Sequence, residues 1–193
     1  MDFSGDIDID LANRDELLKH LEHRVASIHR KGKIEKHNTG VYFQDIPVNP
    51  FTGLSNIDHK EAAGSGFFKI DLLNVGVYEQ IQSEQHLLSM MKEPYWELLD
   101  AEEVVSQLFH VGNYFWLIDN LKPRSIEQLA MILALIRPSK RHLQDCDWQT
   151  IEKEIWKKPE DGSYHFKRSH AISYATVVVV QLNLITEKML NDT

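Results

Sequence analysis

The run Gly5-Asp6-Ile7-Asp8-Ile9-Asp10-Leu11 constrains this chain more than any other stretch. Acids alternate with aliphatic residues, and on a β-strand successive side chains point to opposite faces. Asp6, Asp8 and Asp10 are therefore expected on one face, and Ile7, Ile9 and Leu11 on the opposite, buried face. Carboxylates held that close repel one another unless a cation neutralises them. Hard divalent cations such as Mg²⁺ take carboxylate oxygens and often share them with substrate phosphates. Two-metal sites use such carboxylates to activate an attacking oxygen and stabilise a leaving one. A solvated acidic edge strand with no ion is the alternative that the acids alone leave open.

A second acid-bearing strand bears on that choice. Gly64-Ser65-Gly66 precedes Phe67-Phe68-Lys69-Ile70-Asp71-Leu72-Leu73, an apolar run with a carboxylate in its middle. Burying a lone carboxylate is costly. Asp71 therefore needs a lysine or arginine partner, a strand end open to water, or a metal shared with the first strand.

Between the two strands, Asn13 caps an expected helix from about Arg14 to His29, with Leu17, Leu18, Leu21, Val25 and Ile28 as its buried stripe. Its basic end carries Arg30, Lys31, Lys33 and Lys36, with Gly32 as the stop. Those cations suit either the helix dipole or a nucleic-acid backbone. His37-Asn38-Thr39-Gly40 reads as a turn into a short strand, Val41-Tyr42-Phe43, and Asp45 to Asn56, with Pro47, Pro50 and Gly53, as an ordered loop.

From Val77 onward helices are expected at about 77–91, 101–110, 113–121, 125–136, 147–157 and 167–190. Ser125 with Gln128 resembles a capping box, with Leu129, Ile132, Leu133 and Ile136 as the apolar face behind it. Arg137-Pro138 ends that helix, and Lys157 to Gly162 forms a polar turn around Pro159. Val177 to Val180 suit a strand by propensity, but no turn breaks His170 to Met189, so a helix is preferred. The fold class is α+β: a small mixed-sheet unit at about 1–75, then an all-helical unit at about 76–193.

A chain of 193 residues with 42% hydrophobic content buries a real core. No run reaches the length of a membrane span and no signal peptide opens the sequence, so a cytoplasmic location without membrane contact is expected. Cys146 is the single cysteine, which excludes a disulfide framework and a CxxC metal site. His20 and His23 lie three apart with no third ligand nearby, which argues against zinc. The formal net charge of −8 argues against broad electrostatic binding of nucleic acid but leaves room for a local basic groove.

Several short stretches, in one order, resemble the catalytic subunit of bacterial replicative DNA polymerase III, the C family of DNA polymerases. Gly5-Asp6-Ile7-Asp8-Ile9-Asp10-Leu11 is similar to the family's Pro-Asp-hydrophobic-Asp-hydrophobic-Asp-Phe motif, with Gly5 for the proline and Leu11 for the phenylalanine. Gly66-Phe67-Phe68-Lys69-Ile70-Asp71-Leu72-Leu73-Asn74-Val75 resembles Gly-Leu-Val-Lys-Phe-Asp-Phe-Leu-Gly-Leu. His37-Asn38-Thr39-Gly40-Val41 looks like the His-Ala-Gly-Gly-Val-Val turn. Ala134-Leu135-Ile136-Arg137-Pro138 is similar to the end of the helix that closes in Arg-Pro-Gly-Pro. Phe166-Lys167-Arg168-Ser169-His170-Ala171-Ile172-Ser173-Tyr174-Ala175 resembles Phe-xxx-Lys-Ser-His-Ala-Ala-Ala-Tyr-Ala.

The resemblance implies a palm at about 1–75 with a thumb-like stub at about 14–36, and a fingers-like helical region at about 76–193. It implies Asp6, Asp8 and Asp71 as catalytic, metal-binding residues, with Asp10 a neighbour unless the motif shifts by two. Lys69 would face the triphosphate, and Arg137, Arg168 and His170 would touch phosphates. Capping of its own helix is the competing role for Arg137, and a core or capping hydrogen bond for His170. Arg30, Lys31, Lys33 and Lys36 would contact DNA. The implied cofactor is Mg²⁺ or Mn²⁺, and the implied ligands are primer-template DNA and a deoxynucleoside triphosphate.

The core would be truncated. Within these residues there is no counterpart of the family's phosphoesterase-like domain, of the upstream palm with its Gly-Ser turn, of the Gly-Gly-Ala-Asp-x-Leu-Arg-Arg-Ala helix or of the clamp-binding modules. Compaction of this kind is common on mobile and viral genomes. The expected function is template-directed nucleotidyl transfer to a DNA primer 3′-hydroxyl, with a second polymerase fragment supplying the missing palm. The alternative is an inactive relic that binds a replication protein or a primer-template; a metal-dependent nuclease is a distant third.

Overall fold

The computed structural model describes residues 7–158 and 166–192. The chain divides into two compact units, Met1–Glu79 and Gln80–Thr193. The fold is α+β, with a five-stranded mixed sheet in the first unit and helices in the second.

The sheet comprises β1 (Ile7–Leu11), β2 (Arg24–Arg30), β3 (Lys33–Tyr42), β4 (Leu54–Asp58) and β5 (Ile70–Asn74), in the spatial order β1-β5-β3-β2-β4. β1 pairs with β5 and β2 with β4 in parallel, while β3 runs antiparallel to both β2 and β5. A small core of Ala26, Tyr42, Ile46 and Ala62, flanked by Ile57 and Phe67, closes one side of the sheet.

The expected helix from Arg14 to His29 is not formed. Only α1 (Arg14–Leu18) is helical, capped as expected by Asn13, whose side-chain oxygen accepts from the Glu16 amide at 3.1 Å. Val25 and Ile28 of the would-be stripe belong to β2, where Ala26 and Ser27 are fully buried, while Leu21 precedes the strand and is exposed. Sheet pairing overrides the helical periodicity because β2 finds partners on both sides, β3 and β4. Gly32 does not stop a helix. Lys31 and Gly32, at φ 49° and 76°, form the two-residue turn of a hairpin, the geometry that matches the twist of paired strands. Residues 14–36 are thus a short helix and most of a hairpin, and the basic residues sit on the latter.

His37-Asn38-Thr39-Gly40 lies inside β3 as a bulge. Val25 pairs with Val41 and Ser27 with Lys36, so Ala26 alone faces the whole stretch His37–Gly40. The turn-like character is real locally: Nδ1 of His37 accepts from the amides of Gly40 at 2.9 Å and Thr39 at 3.3 Å. The expected loop ends early, since Leu54–Asp58 is β4, followed by α2 (His59–Gly64).

The expected buried face of the first strand is another correction. Ile7 and Ile9 are 39% and 40% exposed. β1 is an edge strand, paired on one side only, and its own unit does not close over its aliphatic face.

The second unit contains α3 (Glu84–Met90), α4 (Glu102–Val105), α5 (Phe115–Leu121), α6 (Ile126–Leu135), α7 (Trp148–Glu154) and α8 (Arg168–Asn191), with 3₁₀ turns at Trp96–Asp100 and Pro138–Leu143. The expected helix at 77–91 is split. A 3₁₀ turn covers Gly76–Gln80, and Ser83 caps a new start by accepting from the His86 amide at 3.1 Å. Ser125 caps α6 as the sequence indicates, accepting from the Gln128 amide at 3.2 Å. Gln128 reaches back to the Arg124 amide, at 2.7 Å, one residue before the cap. α6 is not one-sided: every residue from Leu129 to Leu135 is buried, as for a central helix. It packs against α8, where Val177 to Val180 are buried within the helix.

α8 is the one described helix long and apolar enough to cross a membrane, with a mean hydropathy of 1.2 over its best window. Of that window 44% is buried within the protein, and Ala171, Ala175, Val178, Val179 and Leu182 of the helix join the α6 core. Pro159 to Gly162, in the expected polar turn, lie outside the described residues, as does the Gly5-Asp6 start of the first strand.

Candidate active site on the sheet

The parallel β1–β5 pairing sets Asp8 directly opposite Asp71, and Asp10 opposite Leu73. Neighbouring strands lie ~4.8 Å apart, and paired residues share a face, so the two carboxylates converge. Asp6 lies outside the described residues. Asp8 is exposed; the Asp71 side chain is only 14% so.

Asp71 has the lysine partner that a half-buried carboxylate requires. The Lys69 ammonium, two residues earlier on the same face, donates to Oδ2 of Asp71. The Thr39 hydroxyl donates to Oδ1 at 2.7 Å from the β3 bulge. Gly40 makes room for the lysine: a Cβ there would stand 2.6 Å from Cδ of Lys69 and 3.0 Å from Nδ1 of His37.

The bulge also fixes a histidine. Because Nδ1 of His37 accepts two backbone N–H groups, its neutral form carries the proton on Nε2. Burial, followed by the nearby Lys69 charge, lowers its pKa, against a smaller opposing effect of Asp71. Its 3.7 Å approach to Oδ1 of Asp71 therefore joins a carboxylate to a neutral ring at pH 7. His59 packs edge-on to His37 with ring centroids 5.0 Å apart. Nδ1 of His59 lies 3.3 Å from the Ser27 carbonyl oxygen and 3.5 Å from Oδ1 of Asp58. A carbonyl only accepts, so Nδ1 of His59 donates and Nε2 presents a lone pair in the neutral ring.

Asp58 anchors this end. It accepts from the His29 amide at 2.6 Å and from the Lys60 amide at 2.9 Å, closing β2 onto the start of α2. Burial alone would raise its pKa; the two backbone donors, with the two histidines, bring it below the usual carboxylate value. A carboxyl depressed on folding stabilises the protein above the unfolded pKa of ~3.9 and loses that contribution as pH falls through the folded value. Asp58→Asn should therefore cost about 1–2 kcal/mol at pH 7. Urea denaturation of both proteins should show the gap closing as pH drops below about 4.

Tyr42 is fully buried, and among the described residues its hydroxyl has no hydrogen-bond partner. Its pKa is pushed up to about 12 by burial, with Asp58 and Asp71 adding to the rise. Thr39, Tyr42, Asp58 and His59 are the members of this cluster that the sequence did not single out. The legible signal was Asp58, a capping residue type ahead of His59-Lys60-Glu61-Ala62-Ala63 in α2.

Arg30, Lys31, Lys33 and Lys36 are all exposed at the β2–β3 hairpin. Arg137, Arg168 and His170 belong to the second unit. The Arg137 guanidinium lies over the Phe166 ring at 4.6 Å, a cation–π contact, and its Nε is buried with no hydrogen-bond partner among the described residues. It does not cap α6. That role falls to Arg141 and Gln144, whose side chains donate to the carbonyls of Ile136 at 3.2 Å and Leu135 at 2.9 Å. Burial, then the Arg137 charge, lowers the pKa of His110. Arg168 is the exposed first residue of α8, and His170 is half-buried in its first turn.

Among the described residues no group of three or more His, Cys, Asp or Glu side chains is disposed to hold a metal ion. The expected trio includes Asp6, which is not among them. No protein-family model matches the chain, and no curated protein matches it.

Proposed function

We propose that the chain is a C-family polymerase core that transfers nucleotides to a DNA primer 3′-hydroxyl under template direction, acting alone or with a second polypeptide. One observation carries the reading: Asp8 and Asp71 face each other on adjacent parallel strands with Lys69 at the second carboxylate. Two carboxylates at that spacing are the right kind of donor for a hard divalent ion. When bound, Mg²⁺ or Mn²⁺ would supply Lewis acidity to the attacking hydroxyl and the triphosphate.

The chain's own residues have distinct parts in this scheme. Asp8 and Asp71 offer the oxygens. Thr39 holds Asp71 in orientation through its hydroxyl. Lys69 has two acceptors to choose between, the Asp71 carboxylate or a substrate phosphate, and its flexible stem lets it exchange one for the other. On phosphate it would neutralise charge developing on the leaving pyrophosphate.

A specific observation favours a second reading, an inactive relic that retains primer-template or replication-protein binding. Both Asp71 oxygens already have protein donors, Lys69 and Thr39. Primer extension separates the two. The purified chain, alone and with a polypeptide carrying the family's upstream palm segment, is supplied with primed template, deoxynucleotides and Mg²⁺. Incorporation that disappears in Asp8→Asn and Asp71→Asn supports the catalytic reading. No incorporation in either mixture, with template binding intact, overturns it in favour of the relic.

A further inference from the structure

The β2–β3 hairpin outruns the rest of the sheet. β4 pairs with β2 only as far as Ser27, and β5 pairs with β3 only at Gly40 and Val41. From the Ile28–Glu35 pair to the turn, the two strands pair only with each other, and every residue from His29 to Lys36 is exposed. A free two-stranded ribbon is marginal in water.

Its composition makes it weaker still. Arg30 pairs with Lys33 across the strands, and like charges directly opposite are destabilising. Lys31 occupies a left-handed position, φ 49°, where Asn, Asp or Gly is preferred. Among the described residues none of Arg30, Lys31, Lys33 and Lys36 makes an ion pair, although Glu35 lies between them. A polyanion offsets the repulsion and supplies counter-charge to the four cations.

The placement of the cations says which polyanion. Cross-strand partners share a face and successive pairs alternate. Arg30 and Lys33 lie on one face; Lys36, opposite Ser27, lies on the other with His29 and Ile34; Lys31 is at the tip. A flat membrane or a flat acidic protein surface meets one face of a ribbon. A groove walled by phosphates on both sides meets two. The ribbon from the Ser27–Lys36 pair to the Arg30–Lys33 pair is three steps, roughly 10 Å. That suits the B-DNA major groove, ~12 Å wide and ~8.5 Å deep, which admits a two-stranded ribbon.

We infer that the β2–β3 hairpin enters the major groove of duplex DNA, with Arg30 and Lys33 on one phosphate wall, Lys36 on the other and Lys31 at the base edges. The inference rests on the proposed nucleotidyl-transfer reading only for the class of ligand, and its test contains neither metal nor nucleotide. Failure of catalysis and failure of the hairpin are therefore separate results.

The experiment is fluorescence anisotropy of a labelled 20-base-pair duplex with the full chain in EDTA, between 50 and 200 mM salt. With three phosphate contacts the plot of log K against log salt should have a slope of about −3. Arg30→Gln with Lys33→Gln should flatten it by about 2 and Lys36→Gln by about 1, each with weaker binding. The melting temperature of the unliganded double variant should equal or exceed wild type, since a repulsion is removed; this shows that binding, not folding, was lost. A Lys36→Gln variant that binds like wild type overturns the proposal, because a one-faced contact is then sufficient. So does equal affinity for the single strand, for an A-form RNA duplex, or for phosphatidylserine vesicles.

Discussion

Asp71→Asn is expected to reduce Mg²⁺-dependent nucleotide incorporation by about 10³-fold or more, the scale on which removing a single transition-state charge stabiliser acts. The amide keeps the volume, and its oxygen still accepts from Thr39. It loses the charge that Lys69 and a divalent ion need. Because Lys69 is itself largely buried, losing its counter-charge should also cost about 1–3 kcal/mol of stability. Asp8→Asn should separate the two effects. Asp8 is exposed on an edge strand, so its loss should leave stability within about 0.5 kcal/mol while abolishing incorporation to a similar extent. Steady-state primer extension and urea denaturation on both variants check this pair of results. An Asp8→Asn protein that extends primers at the wild-type rate would show that the paired carboxylates are not the catalytic centre.

The largest expected effect on stability lies in the helical unit. Leu129→Ala should destabilise it by about 2–5 kcal/mol, the range for truncating a buried leucine when the surroundings relax only partly. Leu129 is fully buried, and α6 has no solvent-facing side from Leu129 to Leu135 into which the cavity could collapse. Leu190→Ala is the control. At 72% exposure near the end of α8 it should change stability by less than about 0.5 kcal/mol. Denaturation followed by far-UV circular dichroism reads both.

The sequence made the two halves of the chain legible to different degrees. Much of the helical half was readable because local chemistry decides it: Ser125 caps, Pro138 ends, and Asp147 caps α7 by accepting from the Thr150 amide at 2.9 Å; the Ser83 cap that splits the helix expected at 77–91 was missed. Even the valine run of α8 followed from the absence of a turn. The sheet was readable where a strand announced itself by alternation or by an acid in an apolar run, as in β1 and β5, and at Val41-Tyr42, the end of β3. β2 was hidden because Leu17, Leu18, Leu21, Val25 and Ile28 satisfy a helical period, and long-range pairing with β3 and β4 outweighs that local preference. The informative residue was Gly32, which follows a lysine that adopts φ 49°. A Lys-Gly turn lacks the Asn-Gly or Asp-Gly signature that marks most such hairpins.

The candidate site divides in the same way. Asp8 and Asp71 could be singled out because strand spacing and an acid in an apolar run are local features; Lys69 was singled out only through the family resemblance. Thr39, His37 and His59 come together through a bulge and a strand-to-helix junction distant in sequence, and no periodicity encodes that. The exposure of Ile7 and Ile9 has a similar origin. Alternation indicates that two faces differ, not that an edge strand has both of them covered.

Titration calorimetry with Mn²⁺ and Mg²⁺ on the wild-type chain, Asp8→Asn and Asp71→Asn tests the central claim most directly. The account predicts millimolar or tighter binding to the wild type, weakened about tenfold or more in each variant, since each removes a charged oxygen donor. Equal heats and affinities in all three proteins, or no binding to the wild type at millimolar metal, would contradict it.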